Sequence, residues 1–522
     1  MKKEVISIEA LRNIIKNQTK YIDDKNRENN TLKDTITSLE KEISTLHEKI
    51  DFLIRQQYQS KSEKLHPNQL GLFDDVPKDK ETLPVEEDTE LIEYTRKKGG
   101  RRKPPKDLPR VRVEHDIDES EKLCSCGCVM YRAKELISEQ YDIVPARFQI
   151  IENVRFVYAC RCGAKPKTTP VPPMIIPKSQ VSASFLATVA VQKFEDALPL
   201  HRQVKIFKNR FGVPFTDTTL SSWMIKGSRA LKPVMDLLRL RLLQNAYIQA
   251  DETTLQVLKE EGRRASQKSY IWLGVGMDTY PVVSMHYADS RKRSVPTGIF
   301  TGFSGYLQTD GYAGYNQVVT QEKITQLACW AHARRKFADI VKSGVSDEES
   351  KAYANEAVVL IRKLYQIEKE IKDEPPDMKY QIRQERSIPI LNTIREWMDT
   401  RFFKAQQAGG AIAKAFVYLN NQFAKLKVYT TDGRLSIDNN RAENHIRPIA
   451  LGRKNWLFAT SVKGAEAVVD WYSIIETAKL NGLEPYYYLK YLLTELPVYQ
   501  REKRDIEALL PWNVDKGDLG CS

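Results

Sequence analysis

At 522 residues the chain is too long for one ordinary hydrophobic core, so roughly two to four domains are expected. Hydrophobic residues are 41% and charged residues 29%, and no apolar run approaches the roughly 20 residues that cross a bilayer, which excludes wholesale disorder and a membrane-spanning protein. The 81 Lys and Arg against 68 Asp and Glu leave a net charge of +13, a balance suited to a polyanionic partner.

The opening, MKKEVISIEALRN, is charged throughout and lacks a signal-peptide apolar region, so a cytoplasmic protein is expected. From residue 8, one series of positions reads Ile8, Ile15, Ile22, Asn29, Ile36, Ile43 and Ile50. A second reads Leu11, Gln18, Lys25, Leu32, Leu39, Leu46 and Leu53. Ile at a and Leu at d is the heptad pairing that favours a parallel dimer, and Asn29 at an a position can fix its register. Residues 1–57 are therefore predicted as a dimerising coiled coil. Residues 58–112 read as a charged linker. Within it, residues 74–93 carry a net charge of −7 and residues 96–112 a net of +8, with Gly99, Gly100, Pro104, Pro105 and Pro109 breaking any helix. Arg101, Arg102 and Lys103 either lie along DNA phosphates or belong to a solvated tether.

The seven cysteines fall mostly in two tight groups, which favours metal over a secreted disulfide framework. Cys124-Ser-Cys126-Gly127 and Cys160-Arg-Cys162-Gly163 are two C-x-C-G knuckles, and four thiolates complete a tetrahedral Zn²⁺ shell. Cys128 leaves the second ligand of the first knuckle ambiguous. Residues 113–175 are thus predicted as a structural zinc module, a small zinc ribbon. Residues 180–243 read as helical, with an N-cap expected at Thr218 and a helix-turn-helix-like pattern that either contacts DNA or spaces the next domain.

From Asn245 the period changes. NAYIQADETTLQVL, KSYIWLGVGMD and YPVVSMHYAD are three β-like runs, followed by a short helix around Val295–Phe300 and a fourth strand in GYLQTDGY. The order βββαβ is that of a ribonuclease-H-like sheet, in which strands one and four are neighbours and Asp251 and Asp310 approach. A buried carboxylate is costly without a partner or cation, and two that converge offer the hard oxygens that Mg²⁺ (or Mn²⁺) prefers. Asn439 and Asn440 are good caps for a helix starting near Arg441, which would put Glu443 in its first turn. Asp438 competes as the third acid, or caps the turn. Arg441, Arg447, Arg453 and Lys454 suit phosphate contacts or form a solvated basic face. Cys329 and His332 form C-x-x-H, half of a metal site with no matching half nearby in sequence.

IQADETTLQVL, LQTDGYAGYN, CWAHARRKF and IDNNRAENHIRPIALGRKNWLFA resemble successive signature blocks of the IS-sixty-six family of bacterial insertion-sequence transposases. SEKLHPNQLGLFDD, the cysteine knuckles, KFEDALPLHRQ and TAKLNGLEPYYYLKYLL have family counterparts too, so the resemblance covers most of the chain after the coil. It implies a DDE transposase with Asp251, Asp310 and Glu443 as catalytic acids holding two metal ions, Asp251 bridging them, and no covalent protein nucleophile. It also implies that Cys329 and His332 support the active-site fold.

The expected architecture is therefore multidomain: coiled coil, zinc ribbon, helical region, and a ribonuclease-H-like α/β core with a helical insertion. The core would span 244–335 and 426–480, the insertion 336–425, and a C-terminal segment 481–522. The expected partners are double-stranded DNA (transposon ends and target), a second copy of the chain or a higher oligomer, and accessory proteins, with no membrane. A nucleoid-associated place in a bacterial cytoplasm follows. The alternative function is a non-catalytic dimeric DNA-binding regulator that keeps the same scaffold. Residues 181–522 carry +10 of the net charge, so the usable excess lies on the helical and catalytic regions.

Overall fold

The computed structural model describes residues 146–158, 165, 167–321, 323–343 and 347–519, with 111–112, 125 and scattered positions between 19 and 39. Arg101, Arg102, Lys103 and the four knuckle cysteines Cys124, Cys126, Cys160 and Cys162 lie outside the described residues, as does most of the predicted coil. Contacts divide the chain into Phe73–Val154 and a larger unit formed by the rest. In the smaller unit, residues 146–154 have no regular structure and are mostly exposed. In the larger, the described positions between 19 and 39 are helical, and the heptad residues Leu32, Ile36 and Leu39 are exposed.

Four helices precede the sheet: α1 Ala183–Phe194, α2 Leu200–Phe211, α3 Asp217–Ala230 and α4 Lys232–Leu243. Ser182 caps α1 by accepting the Phe185 N–H, and Gly212 ends α2 with a left-handed φ of 71°. The α3 cap is Thr216, two residues before the expected Thr218. Its extended backbone lets the hydroxyl accept the Thr219 N–H at 3.1 Å, whereas Thr218 already lies inside the helix. Phe185, Phe207, Phe215 and Trp223 lock α1, α2 and α3 together with ring centroids 5.2 to 6.0 Å apart.

The sheet is built from β1 Tyr247–Lys259, β2 Lys268–Gly276, β3 Val282–Ala288, β4 Gly305–Thr309 and β5 Ile324–Ala328, in the order β3-β2-β1-β4-β5. The first three strands are antiparallel neighbours, while β4 pairs parallel to β1 and β5 parallel to β4. Strands one and four are side by side, as their β-like runs suggested. The short helix between β3 and β4 is α5 Ser294–Ile299, and α6 Asn316–Gln321 lies between β4 and β5. β5, Ile324–Ala328, is a strand that the sequence reading does not include.

The stretch between the second and third acids is helical: α7 Trp330–Ser343, α8 Glu348–Glu370, α9 Pro376–Ile382, α10 Ile388–Ala408 and α11 Gly410–Lys427. Pro375 and Pro376 separate α8 from α9, and Pro376 occupies the first turn of α9, where its missing N–H costs nothing. α10 and α11 are separate helices because Gly409 and Gly410 both take positive φ (74° and 59°). Trp330, Phe337, Ile361, Leu364, Trp397, Phe416 and Leu419 form their common core, which continues onto Leu327 of β5.

α12 Asn440–Trp456 follows, then a short β6 Ala459–Ser461 that pairs with the outer part of β1, then α13 Val462–Leu480 and α14 Pro485–Glu502. β3 is the sheet edge, and α13 covers it. Ser473 and Thr477, one turn apart, accept the Met285 and Val283 N–H groups at 2.9 and 3.1 Å, so the edge is closed to further pairing. Among the described residues no helix is long and apolar enough to cross a membrane.

Candidate active site

The β1–β4 register pairs Gln249 with Gln308. Asp251 and Asp310 each stand two residues further along, so parallel pairing brings them to the same end of the sheet. Asp310 begins the loop after β4. Its Oδ1 accepts the Tyr312 N–H at 2.8 Å, Gly311 turns with φ 90°, and the Tyr418 hydroxyl from α11 donates to the Asp310 carbonyl at 2.7 Å. The Asp251 carboxylate accepts the Glu252 N–H at 2.9 Å. Burial holds its pKa well above the ordinary range, reinforced by the charges of Glu252, Asp310 and Glu443.

Glu443 lies in the first turn of α12, as the sequence suggested, although the capping differs. Asn439 is the cap residue, yet its side chain donates instead to the Ala250 carbonyl at 3.0 Å. Asp438 does the turn-stabilising work, accepting the Asn440 N–H at 3.2 Å and the Asn440 side chain at 2.8 Å. The Asn439 N–H is taken by the sulfur of Cys329 at 3.2 Å.

Cys329 and His332 acquire a partner that the local sequence could not show. Cys329, His332 and Glu443 place one ligand atom each within 4.8 Å of one another. The carboxylate of Glu443 lies 3.6 Å from His332 Nδ1 and 3.4 Å from Arg335 Nη2. Burial lowers the His332 pKa, against the opposing pull of the Glu443 carboxylate. Burial also pushes the Cys329 thiol up to about 12.

A fourth acid, missed in the sequence, sits beside the first. Glu252 is buried on the opposite face of β1, where it accepts from Arg291 Nε at 2.9 Å and the Tyr315 hydroxyl at 2.9 Å. The Arg291 guanidinium stacks 3.7 Å over the Tyr312 ring. Glu252 is thereby committed to a cation and a hydroxyl, while Asp251 receives only a backbone N–H among the described groups.

Residues 178–467, which include all three acids, match the family described as "Transposase IS66 family". The chain belongs to the IS66 transposase family. Residues 473–512 match the IS66 C-terminal element, residues 121–163 the zinc-finger binding domain of transposase IS66, and residues 45–113 "Transposase C of IS166 homeodomain". Two relatives from Sinorhizobium fredii (strain NBRC 101917 / NGR234) are similar over most of their length. The uncharacterized protein y4jD is 32% identical over 80% of this chain and 82% of its own. The uncharacterized protein y4hP is 29% identical over 80% and 78%. Membership of the IS66 family points to a DNA-cutting enzyme that uses divalent metal, binds DNA and carries a zinc segment.

The basic residues of this IS66 chain divide by environment. Arg441, Arg447 and Lys454 are exposed along α12. Arg453 is turned inward, donating to the Thr253 and Thr254 hydroxyls at 3.3 and 3.0 Å, which ties α12 to β1. Trp456 packs rather than projects: its ring lies 5.2 Å from Lys193 Nζ and against Gly452.

Proposed function

We propose that the chain is a DNA transposase that cuts strands at the ends of an insertion sequence and joins them to a target, with Asp251, Asp310 and Glu443 as its catalytic acids. The observation that carries this reading is the convergence of three half-buried carboxylates from β1, the end of β4 and the first turn of α12, where their charges oppose each other. The strand order β3-β2-β1-β4-β5, with three antiparallel and two parallel strands, supports a ribonuclease-H-like core.

The residues fit Mg²⁺ or Mn²⁺. The three acids offer hard oxygens, and Glu443 Oε1 is buried with no hydrogen-bond partner among the described residues. Two such ions, when bound, activate the attacking oxygen and stabilise the leaving one. The protein's own groups prepare the site. Arg335 pairs with one Glu443 oxygen at 3.4 Å, and His332 stands 3.6 Å from the other, which leaves that second oxygen open to a cation. Exposed Arg441, Arg447 and Lys454 would hold the DNA backbone, and Arg101, Arg102 and Lys103 would extend that contact. Cys124, Cys126, Cys160 and Cys162 would hold a structural Zn²⁺. A coiled-coil dimer would keep two DNA ends together, with accessory proteins assisting at the nucleoid.

Purified chain with Mg²⁺ or Mn²⁺ should nick and join DNA carrying the element's terminal inverted repeats. Asp251→Asn and Glu443→Gln should abolish both steps and still bind that DNA. Variants as active as wild type would sink the assignment, and binding without cutting by the wild-type chain would leave the regulator. For the coil, Ile36→Lys with Ile43→Lys should halve the mass seen by analytical ultracentrifugation; an unchanged mass would remove it from the account.

A further inference from the structure

We propose that Gln249, Gln308 and Tyr247 form a buried clamp that positions Glu443 against the two aspartates; this rests on the reading of Glu443 as a catalytic acid. Gln249 and Gln308 are register partners on β1 and β4, 3% and 0% exposed, each two residues before an aspartate, and Gln249 shares the face of β1 that carries Asp251. Nothing in the composition of a strand asks for amides there. Apolar side chains would hold two central strands together without any polar group to satisfy.

The partners explain them. Gln249 Nε2 lies 2.8 Å from Gln308 Oε1, 2.8 Å from the Tyr247 hydroxyl and 3.0 Å from the Asp438 carbonyl. Its two hydrogens are shared among those three acceptors. Tyr247 donates its hydroxyl hydrogen to Gln308 Oε1 and accepts the Ser436 N–H at 3.3 Å. Gln308 Nε2 donates to the Ser436 carbonyl at 3.0 Å. Finally, Gln249 Oε1 accepts the Ala442 N–H at 3.2 Å.

That last bond is a helix cap supplied from a strand. The Ala442 amide is the third N–H of α12, one of the donors that a helix start leaves open. A cap residue's own side chain normally takes it, but Asn439 is occupied with the Ala250 carbonyl. Gln249 takes its place. The first turn of α12 is therefore bonded to residues 249 and 250, immediately before Asp251, and Glu443 is the residue after the capped amide. Hydrogen bonds are directional, so they set the rotation of α12 as well as its distance from the sheet, which apolar packing alone leaves looser.

The test uses the full chain with Gln249→Leu, Gln308→Leu, Ile248→Ala as a core control on the other face of β1, and Asp251→Asn. Mn²⁺ binding is followed by calorimetry without DNA, backbone amide exchange is followed across α12, and cleavage is titrated against Mn²⁺. The glutamine variants should weaken Mn²⁺ binding about tenfold or more, in the range found when groups that orient metal ligands are removed. They should speed exchange at residues 440–446 while exchange in β2 and β3 stays slow. Ile248→Ala should lower stability without shifting the Mn²⁺ dependence. Should Gln249→Leu fail to fold, Tyr247→Phe removes one hydroxyl and reports the same shift at smaller amplitude. Wild-type Mn²⁺ affinity with unchanged α12 exchange overturns the clamp, as does an equal Mn²⁺ shift in Ile248→Ala. Full cleavage activity in Asp251→Asn overturns the catalytic reading instead, whatever the glutamine variants do.

Discussion

Two buried polar anchors hold the segment that leads into α12, and they are built on opposite plans. From the sheet come neutral amides, Gln249 and Gln308, with one bond each to the backbone of Ser436, Asp438 and Ala442. From the helical insertion comes a single charge. Arg383, 2% exposed and inside a π-helical turn spanning Arg383–Ser387, makes a two-pronged pair with Glu368 at 2.7 and 2.9 Å. Its remaining hydrogens go to the carbonyls of Tyr429, Asp432 and Leu435, each at 2.9 Å. All five guanidinium donors are used, which is the condition under which a buried Arg is tolerated. The charged anchor decides whether the segment stays docked. The neutral one decides at what angle it arrives, because its bonds reach the helix start itself.

That contrast can be broken experimentally. The largest effect should come from Arg383→Met, which strands Glu368 and three carbonyls; a loss of about 3–5 kcal/mol in denaturant unfolding is expected. A loss well under 1 kcal/mol would mean that the insertion does not hold the segment. Gly433→Ala tests the same docking from the other side. A Cβ there would sit 1.7 Å from the Pro376 carbonyl oxygen, so the backbone must move, at a cost of about 1–3 kcal/mol. Gln308→Leu removes one member of the neutral anchor, and about 1–3 kcal/mol is expected from the groups it leaves unpaired. If Gln308→Leu costs as much as Arg383→Met, the division of labour is wrong.

The smallest stability effect has the opposite sign. The folded-state pKa of Asp251 is raised, so above the unfolded value of roughly 3.9 the native chain binds more protons than the unfolded one. Stability therefore falls as pH rises through that window and on to the folded pKa. In metal-free buffer at neutral pH, Asp251→Asn should melt slightly higher than wild type and lose that part of the pH dependence. Added Mn²⁺ should raise the wild-type melting temperature more than that of the variant. A variant that melts lower than wild type at neutral pH would show that the carboxylate is not under strain.

Much of the site was legible in the residues because its parts follow short-range rules. Alternation over a few positions marked β1 to β4, and the position of each aspartate in its strand followed from them. Asn439 and Asn440 marked the start of α12 to within a residue. The same local reasoning failed where a distant acceptor outbid a nearby one. Asn439 should cap its own helix, but the Ala250 carbonyl, 189 positions away, takes its side chain. His332 looked like half of a site because its neighbour Glu443 is far along the chain.

By itself, then, the sequence determined the heptads, the paired cysteine knuckles, the aspartates in and just after their strands, and the helix carrying Glu443, since each depends on side-chain period or on capping within a few residues. Only the tertiary structure decided which carboxylate stands beside His332, which glutamine caps which helix, and which hydroxyls close the edge of β3. Those pairings join residues that no period relates, and they exist because the parallel β1–β4 register and the packing of α12 and α13 bring the groups within bonding distance.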